Sequence, residues 1–285
     1  MKTASDNISS WINRLGCSVK SIAKIILQSG LPTIKPAALP GESIIIMGNG
    51  PSLSGTIDSF PEILATHPLL AVNFAANAPE FHSLRPRYYV LADPYFFNGD
   101  GNPNVQRLKL NLEKVSWGMT LFVPVKMRRH VAGLTNPNLS VEYFNPTGVE
   151  GFEWLENFAY SHGLGMPRPR NVLIPSIMIA MSLGFRNIYI TGADHSWTRT
   201  LSVNERNEVV SIQPHFYKDD EKEETRVRTE YLNYPLHSII YSFYIAFKSY
   251  FTIQRYARHR GVNIRNATPG SFIDAFERCS LSELQ

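Results

Sequence analysis

Cysteine is scarce in this chain: there are two in 285 residues, Cys17 and Cys279, far apart and at no metal-ligand spacing. That excludes a disulfide framework and a thiolate metal centre, and a reducing compartment is the simplest expectation. Long apolar runs are also missing. Stretches such as Val172 to Phe185 are too short to span a bilayer. Arg14, Lys20 and Lys24 interrupt every apolar run near the N-terminus, so no signal-peptide core is present there. Neither sign of charge dominates, with 28 basic against 24 acidic residues. No basic run interleaved with aromatics occurs, and nucleic acid is not expected as a partner. The chain has no GxxxxGK[ST] loop, no HExxH among its eight histidines and no GxSxG elbow. A P-loop kinase, a zinc protease and an α/β-hydrolase are thereby set aside, and no metal ligand set is identified.

What is present begins with Ser43-Ile-Ile-Ile-Met-Gly48-Asn49-Gly50-Pro51-Ser52. A short apolar run entering a glycine turn reads as a buried strand of a parallel sheet. Backbone N–H groups at such a turn, opening a helix, suit a phosphate or a sugar nucleotide, and the glycines let a ligand approach. Further strand candidates are Leu69 to Asn73, Arg87 to Asp93, Thr120 to Pro124, Ser140 to Phe144, Asn187 to Thr191 and Val262 to Asn266. Helical patterns lie between many of them. The fold class expected is therefore α/β, Rossmann-like, with a mostly parallel sheet flanked by helices. Ser176 to Leu183 reads as a buried helix with Gly184 as its C-cap, and Pro235 to Arg260 as a long aromatic-rich helix.

Residues 1–40 form a separate front segment in this reading. Ile8, Trp11, Ile12, Leu15, Val19, Ile22, Ile25 and Ile26 recur at helical spacing, and Pro32 to Pro40 reads as a linker. Such an amphipathic helix has two alternatives. It lies on an anionic membrane interface, as a peripheral contact, or it packs on the chain's own surface or a second subunit. A homo-oligomer is expected. Residues 41–285 form the main domain, with an insertion at about 196–235 that carries the charge run Lys218 to Glu224 and stands where a lid belongs.

In open parallel sheets, ligands bind beyond the carboxyl ends of the strands. Those ends deliver Gly48, Asn49, Gly50 and Ser52, then Asn73, Asp93, and the group Gly192, Asp194 and His195. All nine are candidate nucleotide-binding residues. Leu53 stands where a dehydrogenase fingerprint needs its third glycine, and Asn73 where it needs a ribose-binding acid, so a nicotinamide dinucleotide does not fit.

These residues carry a resemblance. Ile-Ile-Met-Gly48-Asn49-Gly50-Pro51-Ser52, the Asn73 strand end, Ala-Asp93-Pro94-Tyr-Phe-Phe97 and Ile177 to Leu183-Gly184-Phe-Arg-Asn-Ile-Tyr-Ile-Thr-Gly192-Ala-Asp194 occur in order. Together they resemble the bacterial lipooligosaccharide sialyltransferases of glycosyltransferase family 42. They also resemble the broader 6-hydroxymethylpterin diphosphokinase-like family, which includes flagellin-modifying glycosyltransferases. The resemblance implies an inverting transfer of a sialic-acid-like sugar from a CMP-activated donor to a cell-surface glycan acceptor, with a histidine base and no required cofactor. By order, His237 matches the family's base, with His215 and His195 as rivals. The family's phosphate-steadying tyrosine falls at Ser196, and Tyr217 is the substitute. Arg168 or Arg170 falls near the family's arginine. The alternatives are a magnesium-dependent diphosphokinase or other nucleotide phosphotransferase, for which Asp93 would recruit the cation, and a non-catalytic nucleotide-binding scaffold.

Overall fold

The computed structural model describes residues 4–39, 41–98, 101–210 and 234–284. The chain opens with helix α1 (Ala4–Gln28) and enters strand β1 (Ser43–Met47). Helices α2 (Ser52–Ser59) and α3 (Pro61–Thr66) lead to β2 (Leu69–Val72). The short α4 (Phe81–Leu84) precedes β3 (Tyr88–Val90). Then come α5 (Tyr95–Asn98), α6 (Pro103–Glu113), β4 (Met119–Pro124) and β5 (Leu139–Phe144). Helices α7 (Glu153–Ser161) and α8 (Leu173–Ser182) precede β6 (Asn187–Thr191), followed by a small hairpin, β7 (Ser202–Val203) and β8 (Val209–Val210). Last are α9 (Leu236–Arg260), β9 (Asn263–Asn266) and β10 (Glu277–Arg278).

Eight strands form one parallel sheet in the order β10-β9-β6-β1-β2-β3-β4-β5. The α/β, Rossmann-like expectation holds. The apolar run of β1 explains its place near the centre. Side chains alternate across a sheet, so Ile44 and Ile46 face one core with Leu70, Tyr250 and most of α8, while Ile45 and Met47 face the other with Leu53, Leu64 and Leu108. A strand buried on both faces has no polar side to offer. Each expected strand is present within a few residues of its expected bounds. Gly184 follows α8 at φ +99, where a left-handed residue can end the helix.

The front segment is held by hydrogen bonds. The buried Ser21 Oγ donates to the Glu150 carbonyl at 2.8 Å and accepts from the Glu150 N–H at 2.9 Å. Ser18 Oγ accepts from Phe152 N–H at 2.9 Å. Gly151 sits against this turn at φ +144, and a Cβ there would come 2.8 Å from the Ser18 nitrogen. So α1 docks through its small polar side while its apolar stripe faces outward. The proline-rich stretch that follows is pinned too. Thr33 exchanges bonds with Tyr143, and the N–H groups of Ala37 and Ala38 reach the Leu183 carbonyl at 2.8 and 3.0 Å. Of the expected lid, the described part is a 3-10 turn at Trp197–Arg199 and the β7–β8 hairpin; the remainder, with His215 and Tyr217, lies outside the described residues. Among the described residues no helix is long and apolar enough to cross a membrane.

Candidate functional site

Sheet topology marks one place above the others. From β1 the chain steps outward through β2, β3, β4 and β5, then returns to place β6 on the other side of β1. The reversal makes the carboxyl ends of β1 and β6 the crevice position at which open α/β sheets bind ligands. Met47 pairs with Thr191 in register, so the turns after these strands meet directly. Gly48 N–H donates to Thr191 O at 2.8 Å, and Gly50 N–H to Gly192 O at 2.7 Å.

The two glycines are required by this meeting. A Cβ on Gly50 would overlap the Asp194 carboxylate and stand 2.7 Å from the Gly192 carbonyl oxygen, and one on Gly48 would overlap that same carbonyl. The sequence reading gave the glycines to a ligand's approach; in the structure the neighbouring strand end occupies that space. Asp194 Oδ2 then accepts from Ser52 Oγ at 2.8 Å and from Ser52 N–H at 3.4 Å. A carboxylate thus sits on the first turn of α2, where the helix dipole favours negative charge. Behind it, Thr56 and Thr191 hydroxyls meet at 2.9 Å.

The loop after β9 steadies Asp194 from its other side. Thr268 Oγ1 accepts from Ala193 N–H at 3.1 Å, Ser271 Oγ donates to Ala193 O at 2.6 Å, and Phe272 N–H donates to Asp194 O at 2.8 Å. The Arg199 guanidinium lies over the Phe272 ring at 4.7 Å, bringing a cation to this loop.

His195 follows with φ +50, a left-handed backbone that bulky residues seldom adopt. Its ring packs against Trp197, centroids 4.2 Å apart and planes tilted by 34°, and Nε2 lies 2.6 Å from the Tyr250 hydroxyl, which donates to Asn171 Oδ1 at 3.0 Å. The polarity of this chain is fixed from its far end. Asn171 Oδ1 also accepts from the backbone N–H groups of Leu173 and Ile174 at 3.0 and 3.3 Å, so that atom is the amide oxygen. The one Tyr250 proton therefore points to Asn171, His195 carries its proton on Nε2, and Nδ1 is left as the basic nitrogen. Burial among aromatic rings pushes the imidazole down to about 3, and burial likewise raises the Tyr250 phenol.

The other strand-end candidates lie farther along the same edge. Asn49 Nδ2 donates to Val72 O at 3.2 Å, tying the ends of β1 and β2. Asn73 has φ +51, and its carbonyl accepts from the Tyr89 hydroxyl at 2.5 Å. Asp93, on the exposed end of β3, accepts from Tyr95 N–H at 2.8 Å. Three strand spacings separate β6 from β3, roughly 14 Å, so Asp93 stands apart from Asp194. Among the described residues no three His, Cys, Asp or Glu side chains are grouped to hold a metal.

His237 is exposed in the first turn of α9. It precedes Tyr250 by thirteen residues, about 20 Å of helix. The N-terminal half of α9 therefore projects past the strand ends as a wall, against which Trp197 and the β7–β8 hairpin pack through Val209, Ile239 and Phe243. Arg168 pairs with Glu150 at 3.7 Å on the α1 side of the molecule. Sequence reasoning missed Tyr250 and Asn171. The available signal was Phe243, Phe247 and Tyr250 at i, i+4 and i+7 on one face of α9.

No protein-family model matches the chain, and no curated protein matches it. Among solved structures it is similar to one titled as the MAf glycosyltransferase from Magnetospirillum magneticum AMB-1, with 14% identity and a TM-score of 0.49. The match covers 96% of this chain and 39% of that one.

Proposed function

We propose that the chain is a glycosyltransferase that holds a nucleotide-activated sugar in the crevice between β1 and β6. The observation that carries the reading is the convergence at the switch point of Ser52, Asp194, His195 and the start of α2. Asn49 and Asn73 extend the crevice along the edge with amides able to bond a base or ribose. Arg199, held over Phe272 beside these strand ends, supplies positive potential for a phosphate. The sequence resemblance narrows the donor to a CMP-activated, sialic-acid-like sugar and the acceptor to a glycan hydroxyl.

In this reading the acceptor oxygen attacks the anomeric carbon as the bond from that carbon to the CMP phosphate oxygen breaks. The electron pair leaves with CMP, and the configuration inverts. His195 takes the acceptor proton at Nδ1, because Tyr250 and Asn171 hold Nε2 protonated. An anionic donor beside the ring offsets the burial that depresses its proton affinity. The leaving group is already a phosphate monoester, so departure requires positive potential and does not require a metal.

Thermal shift with CMP, CDP, UDP, GDP and ATP, each with and without magnesium, tests the donor class. A nucleotide at a hundred times its dissociation constant stabilises the fold by about 2.7 kcal/mol. Stabilisation by CMP without magnesium is expected. Stabilisation by ATP with magnesium alone would overturn the proposal in favour of a phosphotransferase. For the proton acceptor, His195→Asn is compared with His237→Asn in CMP-sugar turnover. Loss confined to the His237 variant would remove His195 from the role.

A further inference from the structure

The outward face of α1 has a regular period. Ile8, Ile12, Leu15, Val19, Ile22 and Ile26 follow one another at alternating steps of four and three residues, the a/d spacing of a coiled-coil seam. All six are solvent-exposed, from 41% at Leu15 to 75% at Ile26. The helix cannot turn this seam inward. Ser18 and Ser21 anchor the opposite flank to the 150–152 turn, and the Trp11 ring rests on Phe152 at 5.8 Å. A regular apolar seam fixed outward on a docked helix needs an external cover.

We infer that the cover is a second copy of this chain, and that two α1 helices pair side by side in parallel along this seam. Three features select that occupant. Ile12, Val19 and Ile26 fall at a, and Ile8, Leu15 and Ile22 at d, so every seam position is a large aliphatic residue able to pack against a facing helix. The flanking e positions are Ser9, Gly16 and Ala23, small residues that let a partner helix approach. Neither e nor g carries a charge, so two identical cationic helices meet without repulsion. Lys20, Lys24 and Arg14 lie about 120° or more from the seam centre on an ideal helix, and so turn away from whatever covers it. Orientation follows from the g side, where Ser18 meets the body of the molecule. Antiparallel pairing sets g against g, which would drive both bodies into the same space. Parallel pairing sets g against e and places the bodies on opposite sides of the helix pair.

Light scattering of the full chain at micromolar concentration is expected to give twice its 32.2 kDa mass. The double variant Leu15→Asp/Val19→Asp is expected to raise the dissociation constant by on the order of a hundredfold or more, because the seam would bury unpaired carboxylates. Leu27→Asp, exposed on the same helix but off the seam, leaves the dimer intact. Oxidation of Leu15→Cys in a Cys17→Ser/Cys279→Ser background is expected to cross-link the pair covalently, since only parallel chains bring the two d positions within disulfide reach. That single change also reports if the double variant fails to fold. A monomeric wild type, or a dimer indifferent to Leu15→Asp/Val19→Asp, would overturn the inference. So would a trimer, a dimer without the cross-link, or a monomer that sediments with vesicles of phosphatidylglycerol and phosphatidylcholine.

Discussion

Replacing His195 by asparagine should remove a specific part of the protein's acid sensitivity. In the folded chain the imidazole stays neutral down to about pH 3, because burial against Trp197 and Tyr250 penalises its charged form. In the unfolded chain it takes a proton near its ordinary value of 6.5. Between those values the unfolded state binds more protons, so stability rises with pH and is lost as pH falls below 6.5. The slope from this one group approaches about 1.4 kcal/mol per pH unit. Between neutrality and about pH 4.5 that amounts to roughly 2–3 kcal/mol, or roughly 5–10 °C in the melting midpoint. The residue keeps some solvent contact, which narrows the pH window and leaves the slope unchanged. Asparagine suits the left-handed backbone at φ +50, so the variant keeps the turn. Glu156 contributes with opposite sign. Burial raises its carboxyl against the pull of Arg255, so its share is present at low pH and is lost as pH rises through the raised value. That term is common to both proteins and cancels in their difference. Urea melts of wild type and His195→Asn across this range measure the difference directly. Two profiles that fall in parallel would refute the reasoning.

Three further outcomes follow from single contacts. Gly50→Ala places a methyl group against the Asp194 carboxylate and the Gly192 carbonyl, and should cost about 2–4 kcal/mol in a denaturant melt while abolishing stabilisation by CMP. Tyr89→Phe strips a fully buried hydroxyl that donates to Asn73 O and accepts from Ala76 N–H at 2.9 Å, and should cost about 1–3 kcal/mol by the same measurement. Release of CMP from the donor should continue in excess chelator, because the proposed departure uses the Arg199 guanidinium; complete loss on chelation would count against it.

The central strands could be read from the sequence because their burial on both faces leaves a local trace. Ile44 to Met47 and Ile188 to Thr191 are apolar runs ended by glycine, and the amide, carboxylate and hydroxyl residues that follow mark one sheet edge. The two-residue strands β7, β8 and β10 leave no such trace. Glu277 and Arg278 are polar, and they count as a strand only because they pair with Arg265 and Asn266. The role of Gly48 and Gly50 was likewise hidden, since the atoms that crowd them belong to a strand more than 140 residues away. The histidine beside Asp194 was visible, but its tautomer depends on Tyr250 and Asn171, which the chain brings to it from two other elements.

By itself the sequence determined the layered α/β class, the order of the main elements and the edge where polar strand ends collect, because period and turn chemistry are properties of neighbouring residues. Tertiary structure alone decided which side of α1 faces in, which atoms fill the space beside the glycines, and which nitrogen of His195 holds the proton. Each of those depends on a contact between residues distant in the chain, and no local pattern specifies the partner.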